Sequence, residues 1–143
     1  FVITKNIILS ILLILFIPMT TFILFYSYPS LRRGSIEKQI SEELPFATIY
    51  MAAVASSDLE PTKMFRLIAG SKEYPAIGME MRKVVNQIDL YGYNLATALT
   101  NVSKGIKNEK LAELFSGISI NIVGGGSLKN YLEKKGEKLI NDQ

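Results

Sequence analysis

Two stretches of this chain carry residue types whose spacing could do chemistry. Glu109 and Glu113 stand four apart, on one face of any helix that holds them, and paired carboxylates are what a hydrolytic site or a divalent cation needs. They sit beside Lys107 and Lys110, and a solvated charged face accounts for them more simply. The run Gly124-Gly125-Gly126-Ser127-Leu128-Lys129 suggests a phosphate cradle, because glycines let backbone N–H groups converge on an anion at a helix N-terminus. The spacing argues otherwise. A P-loop keeps four residues between its first glycine and Gly-Lys-Ser/Thr and follows a strand, whereas these glycines follow a helical pattern and read as a hinge or tight helix crossing.

The other carboxylates, among them Glu42, Glu43, Asp58, Glu60, Glu80 and Asp89, are scattered. Cys and His are absent, which removes disulfides, thiolate nucleophiles, Cys/His zinc sites, imidazole bases and Ser-His-Asp triads. Carboxylate-only chemistry survives that test, and a membrane enzyme of that kind, with metal-dependent turnover, stays the last of three readings; the expectation is a non-enzymatic chain with no catalytic residue, cofactor or metal. Sixteen basic residues against 13 acidic ones give a net charge of +3, too balanced to point to nucleic acid. Lysines gather at 104, 107 and 110 and again at 129, 134, 135 and 138. Such faces could meet an acidic partner or anionic lipid headgroups, although helix solubility explains them too.

What must position these residues starts with a membrane segment. Ile7 to Tyr28 are 22 residues without a charge, about 33 Å of helix, which is enough to span a hydrocarbon core. A secretory signal would be shorter and would end at a small-residue cleavage site, which the YSYPSLRR stretch lacks. Pro18 reads as a tolerated kink. Tyr26 and Tyr28 beside Arg32 and Arg33 mark the membrane boundary. Arg32, Arg33 and Lys38 follow the span and only Lys5 precedes it, so the positive-inside bias places the C-terminal part in the cytoplasm, on the inner face of the cell membrane.

After the anchor, residues 1–31, comes a helical domain, residues 32–143. Ser35 to Ser57 reads as one helix that Pro45 starts or kinks. Pro61 opens a short helix closed by Gly70, and Pro75 opens an amphipathic helix carrying Ile77, Met81, Val84 and Ile88 on one face. Asn94 and Asn108 are placed to cap two further helices, and a last one runs from Ser127. No stretch keeps period-2 alternation. The fold class is all-α: one transmembrane helix followed by an antiparallel bundle of about six helices with short connections.

Several of these features recur in a fixed order: Leu44-Pro45 opening an apolar helix, Pro61, Tyr74-Pro75, the turn Gly92-Tyr93-Asn94-Leu95 before Ala98-Leu99, Gly117, and Gly125-Gly126 before Leu128 and Leu132. Over roughly residues 44 to 132 this series resembles the type II secretion F-domain, especially its archaeal archaellum and pilus branch. Asn94 stands where an acidic residue is common in that family. The resemblance implies an inner-membrane platform whose cytoplasmic helical domains contact a hexameric assembly ATPase and couple it to insertion of pilin or archaellin subunits. It also implies a homo-oligomer, expected to be a dimer. Lys104, Lys107, Lys110, Lys134 and Lys135 are then the candidate motor contacts. Family members carry several transmembrane helices while this chain shows one and begins with Phe, so it is expected to be a piece of a longer protein. The alternative is a single-pass signalling protein whose cytoplasmic bundle relays a dimerisation or ligand signal across the membrane. The breaks expected at Pro29, Gly34 and Pro45 count against its continuous helix.

Overall fold

The stripes of apolar residues at helical spacing become helices throughout the computed structural model, which describes residues 1–27 and 34–143. Among the described residues six helices follow one another: α1 (Val2–Ala55), α2 (Pro61–Ala69), α3 (Pro75–Tyr91), α4 (Leu95–Ser103), α5 (Glu109–Gly124) and α6 (Leu128–Asn141). No strand occurs among the described residues. The chain divides into two compact units, Phe1–Ile36 and Glu37–Gln143.

In the first unit, Val2–Ser27 is a 26-residue stretch of mean hydropathy 2.8, long and apolar enough to cross a membrane. Leu9, Leu13, Phe16 and Phe25 are all exposed there. Covering each such side chain is worth about 2 kcal/mol, so a bilayer core is a favourable place for this surface. Pro18 lies inside the helix and has no N–H for the carbonyl four residues back. The hydroxyls of Thr20 and Thr21 bond the carbonyls of Phe16 and Ile17, at 2.5 and 2.9 Å.

The second unit holds the expected bundle, made of the C-terminal part of α1 and helices α2 to α6. Here one expectation fails. Of the two readings of Pro45, the start of a helix is the one excluded, because the backbone is helical on both sides of it; Gly34 also lies within the helix. The lost backbone bond is outweighed by packing: Leu44, Pro45 and Ala47 are buried, and the buried Thr48 hydroxyl bonds Leu44 O at 2.7 Å.

From α2 onward, sequential helices lie antiparallel. Arg66 on α2 reaches Asp89 near the end of α3, while Arg82 earlier on α3 donates to Ala69 O at the end of α2, at 3.0 Å. On α5 and α6, Glu113 pairs with Lys135 and Gly117 faces Tyr131. Between α4 and α5, Ser119 Oγ donates to Ala96 O at 2.8 Å and lies 3.0 Å from the Thr100 hydroxyl, which satisfies a polar group that is buried. Phe65 and Phe115 are fully buried and meet edge to face, with centroids 5.9 Å apart. Met51, Met64, Met81, Ile77 and Leu99 complete the core around them.

Helix ends follow local chemistry. Pro61 and Pro75 sit in the first helical turn, where the missing N–H is harmless. Asn94, Asn108 and Ser127 cap α4, α5 and α6 by accepting from Thr97, Leu111 and Asn130 backbone N–H. At the start of α3, Tyr74 supplies no cap. Glu43 on α1 does so instead, its carboxylate accepting from Ala76 N at 3.3 Å and Ile77 N at 2.9 Å. Asn108 also donates to the Ser41 hydroxyl at 2.9 Å. The bundle end where the chain enters at Glu37 therefore carries the starts of α3 and α5, and the opposite end carries the turns after α3 and α5.

Gly117 makes a slot in α5 for the Tyr131 ring: a Cβ added there would lie 2.5 Å from Tyr131 Cζ and closer still to its hydroxyl. Alanine would gain roughly 1 kcal/mol of helix propensity, but displacing a docked ring costs about 1–3 kcal/mol. Gly117→Ala is therefore expected to destabilise the bundle, and Gly117→Ala with Tyr131→Ala to recover part of the loss. Urea unfolding followed by circular dichroism reads both, and a stabilised Gly117→Ala variant would refute the slot.

Candidate interaction surface

The glycine run does not cradle an anion. Gly125 adopts φ 70°, and the N–H groups of Gly125 and Gly126 are spent on the Ile122 and Asn121 carbonyls, so the run closes α5 as a left-handed C-terminal turn. The turn after α3 repeats the device: Gly92 has φ 71°, and Gly92 N and Tyr93 N bond Ile88 O and Gln87 O. The other residues of the ordered series hold the bundle together. Leu44 and Leu99 are core, Pro45 is buried, Leu95 is half-buried, Asn94 is a cap, and Gly117 is the slot for Tyr131.

The paired carboxylates also part company. Glu109 is exposed in the first turn of α5, where an acidic side chain favours the positive helix end. Glu113 turns to α6 and meets Lys135 Nζ at 2.7 Å. Among the described residues no three acidic side chains gather where they could hold a metal ion.

The predicted lysines fall into two kinds. Lys104, Lys107 and Lys110 are exposed around the α4–α5 connection, at the bundle end where Asn108 meets Ser41, and no ion pair engages them among the described residues. Lys134 is exposed on α6. Lys135 differs, being only 12% exposed and held by Glu113, so it serves the α5–α6 contact. The boundary residues Arg32 and Arg33, with Tyr28 and Pro29, lie outside the described residues.

Sequence reasoning did not single out the apolar surface at the opposite end. Leu90, Tyr91 and Tyr93 at the α3–α4 corner and Ile120 and Val123 late in α5 are all exposed. Amphipathic periodicity hides them, because each lies at the frayed end of a stripe. Burial raises the Tyr131 hydroxyl pKa, with a smaller contribution from Glu113.

No protein-family model matches the chain, and no solved structure matches it. It is similar to two uncharacterized proteins of Methanocaldococcus jannaschii, MJ1286 at 22% identity over 116 residues and MJ0780 at 25% over 117. The matches take in 81% and 80% of this chain but only 20% and 34% of those relatives, so the chain spans about a fifth and a third of their lengths.

The Lys135 hydrogen bond and charge hold the Glu113 carboxyl below its ordinary range. A depressed carboxylate pKa contributes stability that is complete above the unfolded-state value and fades as pH falls through the folded-state value. Docking of α6 is therefore expected to loosen as pH falls below the ordinary carboxylate range, and Lys135→Met to flatten that dependence. Amide hydrogen exchange along α6 as a function of pH measures both, and an unchanged acid profile in the variant would show that the pair contributes nothing.

Proposed function

We propose that this chain is the anchored helical part of a platform protein on which a type IV pilus, archaellum or pseudopilus is assembled, and that it performs no chemistry itself. One observation supports this above others: a segment long and apolar enough to cross a membrane precedes a helical bundle that carries unpaired surface lysines. A second support is that the ordered series from Leu44 to Gly125 supplies core, caps and turns, as framework residues of a scaffold would. The bundle faces the cytoplasm in this reading, from the basic residues that follow the span. A hexameric assembly ATPase binds the exposed lysines Lys104, Lys107, Lys110 and Lys134, and its strokes act through the bundle on pilin or archaellin subunits in the bilayer. Lys135 leaves the contact set because Glu113 occupies it.

A second reading gains one point from the structure. The signalling alternative needs a continuous helix into the bundle, and two of the breaks held against it, at Gly34 and Pro45, are helical. It predicts self-association that responds to a signal, without an ATPase partner.

Calorimetry of the full chain in lipid nanodiscs with the cognate assembly ATPase tests the platform reading. Saturable binding that weakens with added salt is expected. Reversing Lys107, Lys110 and Lys134 to Glu should weaken it at least about tenfold, the equivalent of 1.4 kcal/mol. Absent binding, with self-association of the chain instead, would favour the signalling reading.

A further inference from the structure

Residues 90–103 and 114–128 contain no charged side chain, in a chain of which 20% of the residues are charged. The fold packs these two stretches together, because Ser119 Oγ on α5 donates to Ala96 O on α4 at 2.8 Å. Val123 lies one turn on from Ser119 and, with the two helices antiparallel, comes level with the corner at Tyr93. The Tyr91 and Tyr93 rings stand 6.3 Å apart there, and Ile120, three residues before Val123, shares its face. The result is one uncharged patch in which Leu90 is 72% exposed, Tyr91 70%, Tyr93 45%, Ile120 73% and Val123 77%.

The make-up of the patch separates its possible occupants. A tyrosine pair among aliphatic side chains, without charge at the centre, is the composition of a protein interface core. The flanks carry both signs, Arg66 with Asp89 and Lys129 with Glu133, as a polar rim does, whereas a lipid-binding surface would be basic. An uncharged patch also meets its own copy without repulsion. Chains anchored through Val2–Ser27 lie in one membrane with one orientation, which concentrates copies of the patch. At roughly 100 Å² each, five such side chains give on the order of 500 Å², short of the about 800 Å² per partner in a self-standing interface. A contact of this size suits partners that a membrane already holds together.

We propose that this patch is a homodimer contact, in which two copies in the same membrane cover each other's Tyr91, Tyr93, Ile120 and Val123 about a two-fold axis. The contact leaves Lys104, Lys107 and Lys110 open at the other end of the bundle, so it neither requires the ATPase nor competes with it.

The chain has no cysteine, so a single introduced thiol reports alone. In the full chain reconstituted in phosphatidylcholine vesicles, Tyr93→Cys, Ile120→Cys and Val123→Cys are treated with a short bis-maleimide, and Lys107→Cys, exposed at the other end, controls for chance encounters. The patch thiols are expected to give severalfold more crosslinked dimer than the control. Val123→Lys, at an exposed position that leaves the fold intact, should lower the dimer fraction of fluorophore-labelled chains severalfold, since it buries a charge in an apolar contact. Dimers at none of the three patch positions, as many dimers at Lys107→Cys, or an unchanged dimer fraction in Val123→Lys would each overturn the proposal. Patch thiols shielded from a water-soluble maleimide without forming dimers would assign the patch to the bilayer and overturn it too. No ATPase enters this test, so its failure is distinct from failure of the platform reading.

Discussion

The bundle depends on a carboxylate that belongs to another helix. α3 begins at Pro75 behind Tyr74, a residue with no side chain able to take the exposed N–H groups of a first turn. Glu43 bonds Ala76 and Ile77 from 33 and 34 residues away, and this fixes the start of α3 against α1. The neighbouring turns of α1 carry Leu44, Ala47, Thr48 and Met51 into the core, so one contact sets both the depth of α1 and the height of α3. From there the order is determined by short connections: α2 and α4 return antiparallel to α3, α5 to α4, and α6 to α5. Arg66 with Asp89 and Glu113 with Lys135 then lock neighbours in register at the surface.

Much of this was legible because the signals are local. Asn94 and Asn108 cap where a polar residue precedes an apolar stripe, and Gly92 and Gly125 close helices where only glycine takes a positive φ without strain. What escaped the sequence is non-local. Nothing around Glu43 announces that its partners lie beyond the next helix, and Gly117 is a slot only once α6 folds back and lays Tyr131 in it. Pro45 misled for the same reason: its local cost is plain in the sequence, whereas the burial that offsets it exists only in the bundle.

Charge shows the same division between local pattern and folded context. The lysines of the C-terminal third look equivalent as a string, yet Lys135 is drawn into the α5–α6 contact while Lys134 beside it stays in water. A helix turns 100° per residue, so adjacent lysines cannot share a role unless they share a face. Glu109 and Glu113 share a face, and the fold still separates them by giving one of them a partner on another helix.

The matches to longer relatives bear on how such a bundle would be used. Nearly the same number of residues, 116 and 117, makes up 20% of one relative and 34% of the other. The two relatives therefore differ in length, and each matches about four fifths of this chain. The side chains that build the bundle core, from Ile40 to Leu139, all come from within Glu37–Gln143, and its caps do too. A unit that satisfies its own interior leaves its surface without a part in holding the fold, as, among the described residues, at the unpaired lysines Lys104, Lys107, Lys110 and Lys134 and at the exposed apolar end of Tyr91 and Val123.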